Sequence, residues 1–223
     1  MLSKIKKYLS YVYPIVEKKT RGEHHSLLEV SWANGVLTLN TQNANYSFGS
    51  LHKIFVEAFK YFKFQPQPND SMLILGFGAG SVFQILRKNY KFKGKITGIE
   101  FDQKVIDLGR EYFYIPESNA NFELIHSEVI SYLKKETKKF NIVIIDLFID
   151  LEVPMQFFEK PFLELLKNKI PTNGQIFFNL VDASQNQAAL TNARKIINEI
   201  GMQSNLFCIK IYGTTNYVLK ISF

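Results

Sequence analysis

The sequence predicts an α/β fold: a mostly parallel, Rossmann-like sheet of seven strands with a C-terminal antiparallel hairpin strand, preceded by a small N-terminal helix and β-hairpin. Three observations carry that prediction. From Ser71 onward, short apolar runs alternate with stretches of helical period, the pattern of strands covered on both faces. Three glycines, Gly76, Gly78 and Gly80, follow the first run, where a strand hands over to a helix. The last two β-rich runs, 206–212 and 217–221, are joined by Gly213-Thr214-Thr215-Asn216 alone. That link is too short for a crossover helix, so the final strand runs antiparallel to its neighbour.

Taken in order, Leu2, Ile5, Leu9, Val12 and Val16 recur at helical spacing and predict an amphipathic helix interrupted near Pro14. Packing on the body is its expected fate, with a second subunit or an acidic surface as the other options. Residues 27–32 and 36–39 flank Ala33-Asn34-Gly35 and read as a hairpin. Helical period returns over 51–62, and Gln65-Pro66-Gln67-Pro68-Asn69-Asp70 marks a boundary. Two regions are expected, 1–68 and 69–223. In the second, strands fall near 72–76, 95–100, 121–126, 140–146 and 174–181. Helices fall near 80–90, 102–113, 127–138, 155–169 and 185–200. Five βα units followed by a terminal hairpin is the strand plan of the S-adenosylmethionine-dependent methyltransferase fold.

Composition narrows the class. With 223 residues and 46% hydrophobic content the chain can bury a sizeable core, which excludes disorder for most of it. The single Cys208 makes no internal disulfide, and no Cys/His cluster has metal-ligand spacing, so a stapled scaffold and a zinc site both fail. A reducing cytoplasm fits best. Cys208 itself alternates within a strand and is expected in the core. Lysines break the first apolar run before it reaches signal-peptide length, and no run is long enough to span a membrane. The net charge of +7 is concentrated: residues 1–25 hold six Lys/Arg against Glu17 and Glu23. No zinc-finger, basic-zipper or RNA-binding signature accompanies the other basic clusters, so nucleic acid is not the expected partner.

The chemistry-bearing residues gather at predicted strand ends. Gly76-Phe77-Gly78-Ala79-Gly80 lets the backbone turn sharply and approach a ligand at a helix N-terminus. A dinucleotide fingerprint would want glycine at position 81, which is Ser81, so a nicotinamide or flavin nucleotide is disfavoured. Strand two ends in Glu100-Phe101-Asp102, where a carboxylate can accept both ribose hydroxyl protons. Asp102 stands between a ligand role and a strand-end charge. Glu128 either faces an adenine amino group or supports the next helix through its dipole. Asp146 follows four apolar residues at the end of strand four, where it can orient or deprotonate an attacking amine or hydroxyl, or cap the next segment. Asp150 is a second catalytic candidate. Asp182 closes strand five or caps a helix. His24 and His25 lie in a polar junction and His52 starts a helix, none beside a plausible Ser or Cys nucleophile, so all three read as solvated or packed.

With these residues in view, the chain resembles the spermidine synthase-like (polyamine aminopropyltransferase-like) branch of the class I methyltransferase superfamily, from about Leu37 to Val181. Residues 76–81 look like its nucleoside loop. Ile99-Glu100-Phe101-Asp102, continuing to Arg110-Glu111-Tyr112-Phe113, looks like its ribose-binding acid and following helix. Asp146-Leu147-Phe148, Val153-Pro154 and Phe157-Phe158 through Leu180 look like its active-site segment. The resemblance implies a donor held by Gly76, Phe77, Gly78, Ala79, Gly80, Glu100, Phe101, Glu128 and Asp146, with no metal, a small-molecule acceptor and a homodimer.

Three positions depart from the family's pattern. Ala79 stands where aminopropyltransferases usually carry aspartate, Leu51-His52-Lys53 where a Tyr-His-Glu segment holds the polyamine, and Asp146-Leu147-Phe148-Ile149-Asp150 where an Asp-Ser-x-Asp-Pro type occurs. An aspartate in the loop would favour the amine of decarboxylated S-adenosylmethionine and repel the carboxylate of the intact molecule. Ala79 therefore points to S-adenosyl-L-methionine and methyl transfer. Aminopropyl transfer from the decarboxylated donor is the alternative, and a non-catalytic nucleoside-binding module is a second one.

Overall fold

The computed structural model of the chain describes residues 2–42, 45–148, 152–181, 187–211 and 214–223. Its first part is α1 (Leu2–Leu9) and an antiparallel sheet of β1 (Ile15–Thr20), β2 (Leu28–Ala33), β3 (Val36–Asn40) and β4 (Asn45–Ser47), in that spatial order. Asn34 and Gly35 both adopt positive φ, 50° and 74°, as the tight turn between β2 and β3 requires. The helix α2 (Ser50–Tyr61) follows.

The second part builds the predicted seven-stranded sheet from β5 (Met72–Leu75), β6 (Ile96–Glu100), β7 (Phe122–His126), β8 (Ile142–Ile145), β9 (Gln175–Val181), β10 (Gln203–Ile211) and β11 (Thr214–Ser222). The strand order is β10-β11-β9-β8-β5-β6-β7, with β11 antiparallel to both neighbours and the rest parallel. Between these strands lie α3 (Ser81–Gln84), which runs into a π-helical turn at Ile85–Asn89, then α4 (Gln103–Phe113), α5 (Val129–Lys135), a 3₁₀ turn at Met155–Phe158, α6 (Lys160–Asn168) and α7 (Gln187–Glu199). The helix expected over 155–169 is thus divided, because Pro161 sits in the first turn of α6 and starts a new helix there.

Strand periodicity divides the core between the faces of the sheet. Leu73, Leu75, Val143, Ile145, Ile176 and Phe178 pack with α5, α6 and α7. Their neighbours Met72, Ile74, Ile142, Ile144 and Phe177 pack with Ile54, Phe55 and Phe59 of α2. A third cluster seats α4, through Val105, Leu108 and Phe113, on Leu28, Val30 and Leu39 of the small sheet. Burying each such side chain contributes roughly 1.5–3 kcal/mol. The chain leaves β5 toward β6 on one side and returns to β8 on the other, so the order reverses between β5 and β8. In open sheets of this kind that crevice receives the ligand.

Two expectations are corrected here. The N-terminal helix stops at Leu9, and Ile15–Thr20 is an edge strand paired with β2. The carbonyl and hydroxyl of Ser10 accept the backbone N–H groups of Asn34 and Gly35, both at 3.0 Å, and this tie fixes the helix end on the hairpin turn. Ile5, Leu9, Val12 and Val16 are exposed, not packed. Cys208 is exposed as well, because β10 is the outer strand of its sheet. Among the described residues, no helix is long and apolar enough to cross a membrane.

Candidate functional site

Four strand ends converge at the reversal point. After β5, Gly76, Gly78 and Gly80 all take positive φ, and at Gly76 a Cβ would stand 2.1 Å from the backbone oxygen of Asp146. Only glycine lets the loop after β5 lie this close to the end of β8. The N–H of Gly78 then donates to Glu100 Oε2 at 2.8 Å, while Phe101 and Asp102 donate to Oε1 at 2.9 and 3.2 Å. Glu100 is buried. Burial pushes its carboxyl up to about 7, against those three N–H groups, and the charge of Asp102 adds to the rise.

Asp146 follows Ile145 directly, and its N–H donates to the Leu75 carbonyl at 2.8 Å, continuing the β5–β8 ladder by one residue. Its Oδ1 accepts from Asn179 Nδ2 on β9 at 2.9 Å. The residue keeps partial exposure at the cleft. Burial nevertheless pushes its carboxyl up to about 7, with the Asn179 hydrogen bond pulling the other way and the charge of Glu100 adding to the rise. Asn179 is fully buried, and its own Oδ1 has no hydrogen-bond partner among the described residues. Asp150, the second catalytic candidate, and Asp182 lie outside the described residues.

A cavity of about 190 Å³ opens beside this edge, lined by Phe101, Glu128, Val129, Leu147, Pro154 and Phe157 among others. Its walls are mostly apolar, with Glu128 as the charged group, which suits a flat heteroaromatic ring carrying an N–H. Glu128 also caps α5, accepting from Ile130 and Ser131 at 3.0 and 2.7 Å, so the helix role is realised at the cavity rim. Asp102 is the N-cap of α4: it accepts from Lys104 at 2.9 Å and, across from the small sheet, from the His24 N–H at 3.2 Å. Phe101 is covered in turn by the His24 ring, stacked at 4.5 Å, so the loop between β1 and β2 reaches the cavity's edge.

Two features escaped the sequence reading. His52 Nδ1 lies 3.2 Å from the hydroxyl of buried Ser81, so this histidine does have a serine beside it, at the end of the glycine loop. Burial first, and Lys88 second, hold its pKa below the ordinary histidine value. The contact spans 29 residues, and no local pattern signals it. Ala79 is the second: it is buried in the cluster with Leu28, Val30, Val105 and Leu108.

A family model described as the spermine/spermidine synthase domain matches residues 52–222. A probable polyamine aminopropyl transferase of Bifidobacterium longum is 28% identical over 148 residues, covering 66% of this chain and 32% of that protein. A polyamine aminopropyltransferase of Saccharolobus solfataricus is 26% identical over 171 residues, covering 73% of this chain and 56% of that one. The chain thus matches between about a third and somewhat over half of these relatives' length. A crystal structure of a probable spermidine synthase from Corynebacterium glutamicum superposes with a TM-score of 0.66 at 19% identity, over 94% of this chain and 77% of the other. That likeness establishes the fold. The family model and the names of the sequence relatives overturn the expectation of methyl transfer. The inference from Ala79 falls with it; the methyl group is buried among Leu28, Val30, Val105 and Leu108, where it serves packing.

Proposed function

Because the chain belongs to the spermine/spermidine synthase family, we propose that it transfers an aminopropyl group from decarboxylated S-adenosylmethionine to a primary amine of a small polyamine-type acceptor. In this reading the amine lone pair forms a C–N bond to the aminopropyl carbon on sulfur. The C–S bond breaks, its electron pair stays on sulfur as a neutral thioether, and one ammonium proton is released.

Each residue then has a task. Glu100, fixed by three N–H groups, accepts the ribose hydroxyl protons. Phe101 and the other apolar walls hold the adenine, with Glu128 facing its amino group. Asp146 takes the proton of the acceptor, and Asn179 holds the Asp146 carboxyl in place. The observation that carries the proposal is the Asp146 carboxyl itself, placed at the sheet's reversal point and held by the Asn179 amide at 2.9 Å, where burial raises it to about 7. A base tuned near the working pH can accept a proton and release it again. Acidic side chains along this edge also suit a cationic donor and a cationic acceptor.

The test is product analysis by mass spectrometry. Purified protein with decarboxylated S-adenosylmethionine and a linear diamine is expected to yield the aminopropylated amine and methylthioadenosine in equal amounts. No such product across a panel of diamines and triamines, or a methylated amine formed from intact S-adenosylmethionine, would refute the proposal.

A further inference from the structure

The first helix is inside out. Ile5, Tyr8 and Leu9 stand at i, i+3 and i+4 of α1 and share one face, and Val12 follows in the turn beyond it. They are 52, 72, 56 and 90% exposed. Lys6 and the following Ser10 face the protein instead. Lys6 Nζ meets Glu17 at 2.6 Å, and the other Glu17 oxygen accepts from Trp32 Nε1 at 2.9 Å. Ser10 is buried against the hairpin turn, and the Tyr11 ring occupies the space beside Gly35 that any Cβ would enter. The segment is therefore held in place with its apolar side chains facing outward. Seven of the twelve large hydrophobic side chains exposed among the described residues fall between positions 5 and 16, which makes this a patch and not scatter.

Charge selects what covers it. Glu17 and Glu29 are engaged by Lys6 and Lys19, whereas Lys4, Lys7, Lys18 and Arg21 make no ion pair among the described residues. An apolar patch in a segment with four exposed cations, unpaired among the described residues, is poorly matched to a second copy, which would set equal positive charges against each other, and lysine is depleted in protein interfaces. An anionic bilayer offers both a negative headgroup layer and an apolar layer beneath it, and tyrosine rings suit that boundary. We propose that residues 4–21 form a reversible docking surface for an anionic lipid bilayer, with the first helix lying in the headgroup plane.

Co-sedimentation of the full chain with vesicles tests this, using phosphatidylcholine alone and phosphatidylcholine mixed with phosphatidylglycerol. Binding to the anionic vesicles is expected to exceed that to the neutral ones by about tenfold or more at low salt. Lys4→Glu with Lys7→Glu should lower anionic binding by roughly tenfold or more. Val12→Asp with Tyr13→Asp should abolish it, and both double variants should keep the parent's melting temperature because all four side chains are exposed. Equal binding to both vesicle types, or none to either, overturns the proposal. A dimer in sedimentation velocity that Val12→Asp dissociates, without vesicle binding, overturns it too and assigns the face to a second copy.

Discussion

The ends of β6 and β8 carry two carboxyl groups raised to the same value, about 7, but held in different ways. Glu100 receives three backbone N–H groups shared over both oxygens, and it organises the loop that supplies one of them. Asp146 receives one donor among the described residues, the Asn179 amide, and keeps partial exposure. Equal titration thus conceals unequal freedom. A carboxyl tied at both oxygens is built to hold a partner in one place, while a partly exposed one held through a single oxygen among the described residues can take up a proton.

Substitution should separate the two ends. The largest effect is expected from Asp146→Asn, which keeps the shape and removes the proposed base. Turnover should fall by about 10²–10⁴ with donor affinity nearly unchanged in calorimetry. Glu100→Gln should act on affinity: donor binding weakens by roughly 10–100-fold, the scale of a lost charge-assisted hydrogen bond.

A pH titration of stability then treats both ends together. Their folded carboxyls titrate near 7, above the ordinary 4.5 and 3.8. Between those values the unfolded chain has lost the protons that the folded chain keeps. Stability is therefore fully present below about pH 4, falls as pH rises toward 7 and levels off above it. The Tm difference between Glu100→Gln and the parent should move in the variant's favour by several degrees, roughly 2–4 °C per kcal/mol, from pH 4 to pH 8. The smallest effect is at the cavity rim, where Glu128→Ala removes a helix cap at a cost of about 1 kcal/mol in denaturant unfolding.

The same contrast shows what was legible in the sequence. The order of strands and helices from Ser71 onward could be read because buried parallel strands are continuous apolar runs, as in Ile142–Ile145, and because glycines mark the turn after β5. Glu100 and Asp146 could be placed because each directly ends such a run. Their partners could not: Asn179 reaches Asp146 across 33 residues and His52 reaches Ser81 across 29, contacts that only the folded sheet creates. The strand β1 was hidden because Ile15–Thr20 is an edge strand rich in charge, with little alternation to signal it. The helical period before it revealed an apolar face but not its direction, which the Ser10 tie to Asn34 and Gly35 decides.

Whether Asp146 is a base poised near neutrality is read from a ¹³C NMR titration of its carboxyl carbon, with Asp146→Asn identifying the resonance. A midpoint near 7 is the predicted result. A midpoint in the ordinary carboxylate range, below about 5, would contradict it and leave the carboxyl as a fixed charge with no part in proton transfer.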